Sequence, residues 1–276
     1  MPINSIDRMI RMAGGPALRL RIVRKLLTIF PVGSFEARLE VGAFERPWYA
    51  WCLYYAALEA KALGHKAMTA LELGVAGGNG LLCLCRYRDQ VEHATNLKIL
   101  VQGLDGGAGL PKTSDPRDLL YCWPAGSFQM DYQKLKQRLG DAAQVVLGDV
   151  RKTAREINIP PDAPLGAVMF DLDLFTSTRD AFTLFDHASL LPRVWCYFDD
   201  ISGGPGNAYS DYTGVRGAIR EFNAGRTETD SHLSQAYVFM GHRPEDWHQQ
   251  IYIYHRMNHP DYNRCLTDHK HTLDLR

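Results

Sequence analysis

Residues 71–80 read LELGVAGGNG, an apolar run that passes into a glycine-rich turn and then into a helical pattern. Glycines between a first strand and a helix let a ligand approach the backbone closely. The dinucleotide-binding pattern G-x-G-x-x-G does not fit from Gly74, because its third position is Ala76. It also fails from Gly78, because its sixth position is Cys83. The turn therefore predicts a ligand site and disfavours a nicotinamide-dependent oxidoreductase.

Apolar runs alternate with helical segments on both sides of this turn. Five strands with intervening helices predict an α/β fold with a doubly wound, mostly parallel sheet. Two later runs, Ala236–Met240 and Gln250–His255, predict an antiparallel C-terminal edge pair, which makes seven strands. The first five predicted strands are Thr69–Leu73, Ile99–Leu104, Gln144–Leu147, Ala167–Phe170 and Val194–Phe198.

The segment before the sheet has a different character. We divide the chain into an N-terminal helical arm or cap, residues 1–64, and a ligand-binding domain, residues 65–276. Residues 1–30 contain six basic side chains and one acidic one, and Ala17 to Phe30 form an amphipathic stretch. Such a helix packs on the domain, on a second subunit or on an anionic membrane surface. The basic arm and the aromatic run Trp48–Tyr55 favour a homo-oligomer.

Composition excludes several classes of protein. The chain has 31 Lys and Arg against 31 Asp and Glu, so its net charge of zero offers no general footprint for nucleic acid. The longest apolar run, residues 48–58, is too short to span a bilayer, and no secretory signal is expected. The six cysteines form no Cys-x-x-Cys pair, which is typical of reduced thiols. We expect a cytoplasmic protein without a transmembrane segment.

Acids and glycines around the turn follow a known spacing. Glu72 lies two residues before Gly74, and Gly78 lies four residues after it. This spacing is similar to the first motif of class I S-adenosylmethionine-dependent methyltransferases. That cofactor carries a sulfonium and an ammonium group, so nearby acids suit it and a phosphate cradle is not needed. We expect cofactor contacts from Glu72, Gly74, Val75 and Gly78; the alternative is a glycine turn without a ligand.

Two further strands end in acids. Asp105 ends the second strand, where a carboxylate can accept hydrogen bonds from both ribose hydroxyls of a nucleoside. It could equally cap the following turn. Asp149 ends the third strand, where it can reach an adenine amino group, although Gly-Asp is also a common turn pair.

The fourth and fifth strands carry more acids at their ends: Asp171 and Asp173 follow the fourth, and Asp199 and Asp200 follow the fifth. Neighbouring parallel strands lie about 4.8 Å apart, so these tips can converge. Close carboxylates without compensation are costly, and an all-oxygen ligand set selects a hard cation. Asp171, Asp199 and Asp200 therefore predict a Mg²⁺ site, with Mn²⁺ or Ca²⁺ possible. The alternative is that each acid caps a turn or a helix.

These residues carry a family resemblance. Residues 171–178 read DLDLFTST, which resembles the Asp-x-Asp-Leu-Tyr-Glu-Ser-Thr motif of the macrocin O-methyltransferase family, and the Asp-Asp pair follows at that family's separation. The resemblance runs from about Glu72 to Phe222. Smaller matches are Asp105 followed by residues 109–111 (GLP), residues 124–128 (PAGSF) and residues 214–218 (GVRGA).

The resemblance implies a metal-dependent enzyme of the class I methyltransferase fold that methylates sugar hydroxyls of natural products. In that family's pattern, Asp171, Asp199 and Asp200 bind Mg²⁺, and Asp173 is the general base. The methyl acceptor is then a small molecule with a hydroxyl group, and a vicinal diol suits the metal equally well. Phe175 and Thr176 depart from the pattern, because the family has Tyr and Glu there.

Two other expectations concern the rest of the chain. The glycine-rich loop Ser202 to Asp211 follows the metal pair and is expected to act as a lid over the acceptor. A histidine from another loop, His232 or His242, is an alternative general base. The rival that is not an enzyme is a methyltransferase-like binding or scaffold protein that has lost turnover.

Overall fold

A computed structural model describes residues 18–227, 229–238, 245–264 and 266 of the chain. In this part of the chain, seven strands form one sheet in the order β3-β2-β1-β4-β5-β7-β6. The strands are β1 (Ala67–Leu73), β2 (Lys98–Asp105), β3 (Gln144–Leu147), β4 (Leu165–Phe170), β5 (Leu190–Phe198), β6 (His232–Gln235) and β7 (Ile251–His255).

The pairing is that of a doubly wound sheet. Strands β1 to β5 are parallel to one another, with β1 paired to both β2 and β4. Strand β7 lies antiparallel between β5 and β6. The predicted fold class, a mostly parallel seven-stranded sheet with an antiparallel C-terminal pair, is confirmed.

The sixth strand lies earlier than predicted. It spans His232–Gln235, whereas Ala236–Met240 was expected. The true strand has one fully buried apolar residue, Leu233, so its pattern gives no signal. In the described part of the predicted run, Val238 is buried in the core and Ala236 packs against the core, whereas Tyr237 is 90% exposed. Residues 239 and 240 lie outside the described residues.

Nine helices surround the sheet within the described ranges. They are α1 (Leu18–Ile29), α2 (Phe35–Glu40), α3 (Pro47–Ala62), α4 (Asn79–Thr95), α5 (Tyr132–Leu139), α6 (Val150–Glu156), α7 (Phe175–Ala181), α8 (Leu184–His187) and α9 (Gly214–Ala224). None of the helices in this part of the chain combines the length and apolar character needed to cross a membrane.

Alternating side chains of the strands build two hydrophobic layers. In β4, Ala167 and Met169 belong to the layer covered by α2 to α5, and Val168 and Phe170 belong to the layer covered by α6 to α9. This two-residue period is what a strand buried on both faces requires. The sheet is therefore shielded on both faces, and its strand ends remain available at one edge.

Helix α3 packs directly on this sheet. Proline occupies its first turn, and most of its residues are buried, as expected of a helix that is apolar on all sides. Trp48 stacks on Tyr197 of β5 with ring centroids 5.6 Å apart. The division of the chain at residue 64 stays a prediction.

Helix α1 falls on the predicted amphipathic stretch. Arg24 attaches it to the chain by an ion pair with Glu245 at 2.6 Å. Ile22, Leu26 and Ile29 on another face are about half exposed. What covers that face, a second subunit or a membrane surface, stays a prediction.

Gly74, the residue after β1, lies against the backbone of Asp171, the residue after β4. Its φ is +86°, and a Cβ there would overlap the backbone carbonyl of Asp171. The Asp171 N–H donates to the Leu73 carbonyl at 2.8 Å across the same contact. Glycine is therefore required at this position for two independent reasons, the left-handed backbone and the lack of space.

We expect Gly74→Ala to lower the free energy of unfolding by about 2–5 kcal/mol, because it adds left-handed strain to a steric overlap. The measurement is urea unfolding followed by circular dichroism. Gly77→Ala is the matched control, since a Cβ at Gly77 meets no atom within 4 Å. Equal stabilities of the two variants would contradict this account of Gly74.

Candidate functional site

The carboxyl ends of β1 to β5 open into one cleft of about 1150 Å³. Ligands of open α/β sheets bind at this edge. The ten residues that the sequence predicted for the cofactor, the metal and the general base Asp173 line the cleft, although their roles stay predictions. They are Glu72, Gly74, Val75, Gly78, Asp105, Asp149, Asp171, Asp173, Asp199 and Asp200.

Asp105 holds the glycine turn in place. Its Oδ2 accepts hydrogen bonds from the N–H groups of Val75 and Ala76, each at 2.8 Å, and its Oδ1 accepts one from Gly107 at 2.6 Å. The capping role considered as an alternative is therefore present. Because each carboxylate oxygen has two lone pairs, Oδ1 retains one for a ligand.

Asp149 has a structural partner of its own. It is the N-cap of α6, and its side chain accepts a hydrogen bond from the Arg151 N–H at 2.9 Å. The carboxylate thereby satisfies one of the free donors of the first helical turn.

Glu72 is a buried acid with half of its carboxylate unpaired. Its side chain is 1% exposed, and Oε1 accepts a hydrogen bond from the Tyr49 hydroxyl at 2.7 Å. Oε2 is buried and has no partner among the described residues. Burial raises the pKa of Glu72 to about 8, with the Tyr49 hydrogen bond opposing and the Asp171 charge adding to the shift. Sequence reasoning missed Tyr49, which α3 brings to the site from 23 residues away.

The three acids predicted for the metal lie together. One carboxylate oxygen from each of Asp171, Asp199 and Asp200 lies within 4.8 Å of the other two. Burial, followed by the charges of the two neighbours, raises the pKa of Asp171 to about 7. Burial and the charge of Asp199 raise the pKa of Asp200 to about 6. The cluster is therefore a concentration of negative charge that favours protons or a cation.

The surroundings of the cluster orient its oxygens. Tyr197 donates a hydrogen bond to Oδ1 of Asp199. Tyr209 donates one to Oδ1 of Asp200 at 3.1 Å, while Oδ2 of Asp200 is buried without a partner among the described residues. Because Oδ2 of Asp200 is buried and accepts no hydrogen bond from the described residues, Asp200 is better suited to bind a metal ion than to serve a structural role.

Asp173 occupies a strained turn next to the cluster. Its φ is +59°, and the Leu174 N–H donates to the Leu172 carbonyl across it, which closes a three-residue γ-turn. Burial, then the charges of Asp200 and Asp171, raise its pKa to about 8. Strain of this kind is typical of functional sites, where the surrounding structure fixes an unfavourable backbone.

The two departures from the family pattern have different environments. Phe175 is buried, 1% exposed, and the Arg117 guanidinium lies 3.7 Å from its ring centroid. Thr176 lines the cleft and binds the fully buried Asp118, which accepts from the Thr176 N–H at 2.7 Å and from its hydroxyl at 2.9 Å. A carboxylate thus does lie beside residue 176, supplied by the buried Asp118.

The loop expected to be a lid touches the acid cluster through one residue. Tyr209, which contacts Asp200, also accepts a hydrogen bond from the Asn207 amide at 3.2 Å. The Tyr121 hydroxyl donates to the Asn207 carbonyl at 2.9 Å. These contacts connect the loop to Asp200 and to Tyr121, and its movement stays a prediction.

Of the two histidines considered as general bases, His232 is not among the described residues that line the cleft. His232 lies on the edge strand β6, paired with His255 of β7. His242 lies outside the described residues.

Comparison with known proteins agrees with this architecture. The calicheamicin methyltransferase CalS11 is 18% identical over 94% of this chain and 95% of that chain, with a TM-score of 0.55. The apo structure of CalS11, a TDP-rhamnose 3'-O-methyltransferase, is 19% identical over 94% and 97%, with a TM-score of 0.42. The O-methyltransferase TomG from Streptomyces achromogenes is 16% identical over 91% and 95%, with a TM-score of 0.40. No family model and no curated protein matches the sequence. The likeness to the first structure and the strand order identify the class I methyltransferase fold.

We expect the acid cluster to make metal-free protein less stable as pH rises. Asp171, Asp173 and Asp200 bind protons more tightly when folded, since their pKa values rise from 3.8 to about 7, 8 and 6. Their contribution to stability is therefore fully present below about pH 4 and is lost as pH rises from there through the folded values of about 6–8. Asp173→Asn removes one such group, and asparagine tolerates the left-handed turn. Its free energy of unfolding should rise relative to wild type between pH 6 and pH 8.

The measurement is urea unfolding at several pH values in the presence of a chelator. Asp162→Asn, a change at an exposed acid, is the control and should follow the wild-type curve. A constant difference between Asp173→Asn and wild type across this range would contradict the raised pKa.

The hydrogen bonds from Thr176 to Asp118 predict how substitutions at residue 176 change the free energy of unfolding. Thr176→Val removes one donor from a buried carboxylate and should lower the free energy of unfolding by about 1–3 kcal/mol. Thr176→Glu, which restores the residue of the family pattern, should be more damaging because it places two carboxylates together. Adding Asp118→Asn to Thr176→Glu should recover part of the loss. Urea unfolding checks the series, and a Thr176→Glu chain as stable as wild type would refute it.

Proposed function

We propose that this chain is an S-adenosylmethionine- and Mg²⁺-dependent O-methyltransferase that acts on a hydroxyl group of a small molecule, a sugar of a natural product or glycan. The observation that carries the proposal is the placement of the glycine turn and the three-carboxylate cluster in one cleft. The glycine turn would hold the methyl donor and the acid cluster would hold the metal, and the proposed reaction needs both within one cavity. The resemblance to the macrocin O-methyltransferase family supports the same function.

The residues at the glycine turn fit the proposed cofactor. Gly78 and Gly80 leave no room for side chains, because a Cβ would overlap Leu135 at the first position and Glu72 at the second. The unpaired Oε2 of Glu72 suits the ammonium group of S-adenosylmethionine, and Oδ1 of Asp105 suits a ribose hydroxyl. When bound, this cofactor supplies an electrophilic methyl group. The chain's part is to hold it with the methyl facing the acid cluster, which raises the effective concentration of the reactants.

The acid cluster fits a hard divalent cation, since it offers oxygen donors from Asp171, Asp199 and Asp200. When bound, Mg²⁺ supplies a Lewis acid that lowers the pKa of an acceptor hydroxyl. Asp173 would take that proton on its carboxylate. Its pKa of about 8 lies near neutral pH, which is where a general base is most effective.

The rim of the cleft suits an acceptor with an apolar face. Trp123 and Phe128 line it with ring centroids 6.1 Å apart, and Phe128 is about half exposed. The less polar face of a sugar ring packs well against aromatic side chains. The likeness to a calicheamicin methyltransferase supports an acceptor from natural-product biosynthesis. We further propose a cytoplasmic homo-oligomer that binds no nucleic acid.

A methyltransferase-like binding protein without turnover is the second candidate. Thr176 favours it, because the family's Glu is missing from the cleft at this position. The strained γ-turn at Asp173 favours the enzyme, since a binding protein gains nothing from holding a carboxylate in that conformation.

Calorimetry and activity together test the proposal. We expect S-adenosylmethionine to bind the wild-type chain, and Mg²⁺ to bind wild type but not Asp199→Ala. With a screen of hydroxylated acceptors, S-adenosylhomocysteine release should be about 10²–10⁴-fold slower in Asp173→Asn, with unchanged cofactor affinity. Asp141→Asn, at an exposed acid, is the matched control and should behave as wild type.

Three results would count against the proposal at different points. No binding of S-adenosylmethionine would remove the function altogether. If the cofactor binds and turnover occurs but neither Mg²⁺ nor Asp199→Ala has any effect, the proposed metal dependence is wrong. Cofactor and metal binding without turnover of any hydroxylated acceptor would favour the binding protein.

A further inference from the structure

Arg46 places a cation in the cleft that the sequence motifs do not explain. It directly precedes helix α3 and lines the cleft beside Glu72 and Asp171. The residue is fixed from two sides. Its backbone N–H donates to the Tyr87 hydroxyl at 3.0 Å, and its guanidinium carbon lies 5.2 Å from the ring centroid of Tyr49.

The Arg46 guanidinium has no acceptor among the described residues. Glu72 and Asp171 are close enough for their charges to raise the pKa of Arg46. Neither approaches it to ion-pair distance, in contrast to Arg193, which pairs with the buried Glu59 at 2.9 Å. A half-buried arginine with free donors that face a cleft is suited to an anionic ligand.

The neighbouring unpaired group has the opposite charge. Oε2 of Glu72 is buried in the same part of the cleft without a partner, and Tyr49 joins the two side chains by bonding Oε1 of Glu72 and stacking under Arg46. A free cation and a free acid side by side are complementary to a zwitterion. An α-amino acid group, with its ammonium and carboxylate on one carbon, has this charge pattern.

We propose that Arg46 binds the α-carboxylate of the methionine part of S-adenosylmethionine, with Glu72 receiving the adjacent ammonium. The assignment rests on the proposed function and deepens it, because it gives the N-terminal helix α3 a direct role in cofactor binding. The planar guanidinium can donate two parallel hydrogen bonds to a carboxylate, which makes arginine more selective here than lysine.

The test compares two ligands on the protein by calorimetry. One is S-adenosylhomocysteine, and the other is its decarboxylated counterpart, in which hydrogen replaces the α-carboxylate. Wild type should bind S-adenosylhomocysteine about 10–100-fold more tightly, the range expected for a charge-assisted hydrogen-bonded pair. Arg46→Gln should lose about the same factor for S-adenosylhomocysteine and nothing for the decarboxylated ligand. Arg46→Lys should recover part of the loss, and Arg138→Gln, an exposed arginine of α5, should bind both ligands as wild type does.

The outcomes separate this assignment from the proposed function. Two results would overturn the carboxylate contact without affecting the proposed function. One is equal affinity of wild type for the two ligands, and the other is an equal loss of affinity for both ligands in Arg46→Gln. Wild type that binds neither ligand would overturn the proposed function and the assignment together. The comparison of ligands on wild type needs no variant, so a poorly folded Arg46→Gln chain would not prevent the test.

Discussion

The close approach of Gly74 to the Asp171 backbone is the contact on which the arrangement of the cleft depends. It brings the end of β1, which carries the glycine turn, against the end of β4, which carries the first acids. Any side chain at Gly74 would separate the two strand ends. Asp105 completes the arrangement from β2 by holding Val75 and Ala76. The two halves of the proposed site therefore share one backbone contact.

Much of the site could be predicted because its residues follow apolar strands. Acids such as Asp105, Asp171 and Asp199 come directly after buried runs, and parallel strands bring such positions to one edge whatever the details of packing. The same reasoning could not find Tyr49 or Asp118. Their partners lie 23 and 58 residues away, and nothing local to either residue indicates a contact. Strand β6 was misplaced for a related reason, since a single buried leucine leaves no periodic pattern.

Phe175 and Thr176, the residues that differ from the family motif, both contact the segment that carries Arg117 and Asp118. Phe175 fills a buried position under Arg117, which Asp115 and Glu221 hold by ion pairs of 2.7 and 2.8 Å. At residue 176 the short threonine leaves space for Asp118 to reach the start of α7. The family motif has a glutamate at residue 176. In this chain, Asp118 from the loop before α5 places a carboxylate beside that residue instead. The start of α7 at this edge of the cleft is thus coupled to the loop before α5.

The raised pKa values of the buried acids have a consequence for metal exchange. Binding of the proposed cation among Asp171, Asp199 and Asp200 would displace the protons that Asp171 and Asp200 bind, because burial and neighbouring charges raise the pKa of these two groups and only ionised carboxylates are good ligands. Loading of the proposed metal site would therefore release protons to the surroundings. A fall in pH opposes loading through the same equilibrium. Occupancy of the proposed metal site would thus depend on the acidity of its surroundings.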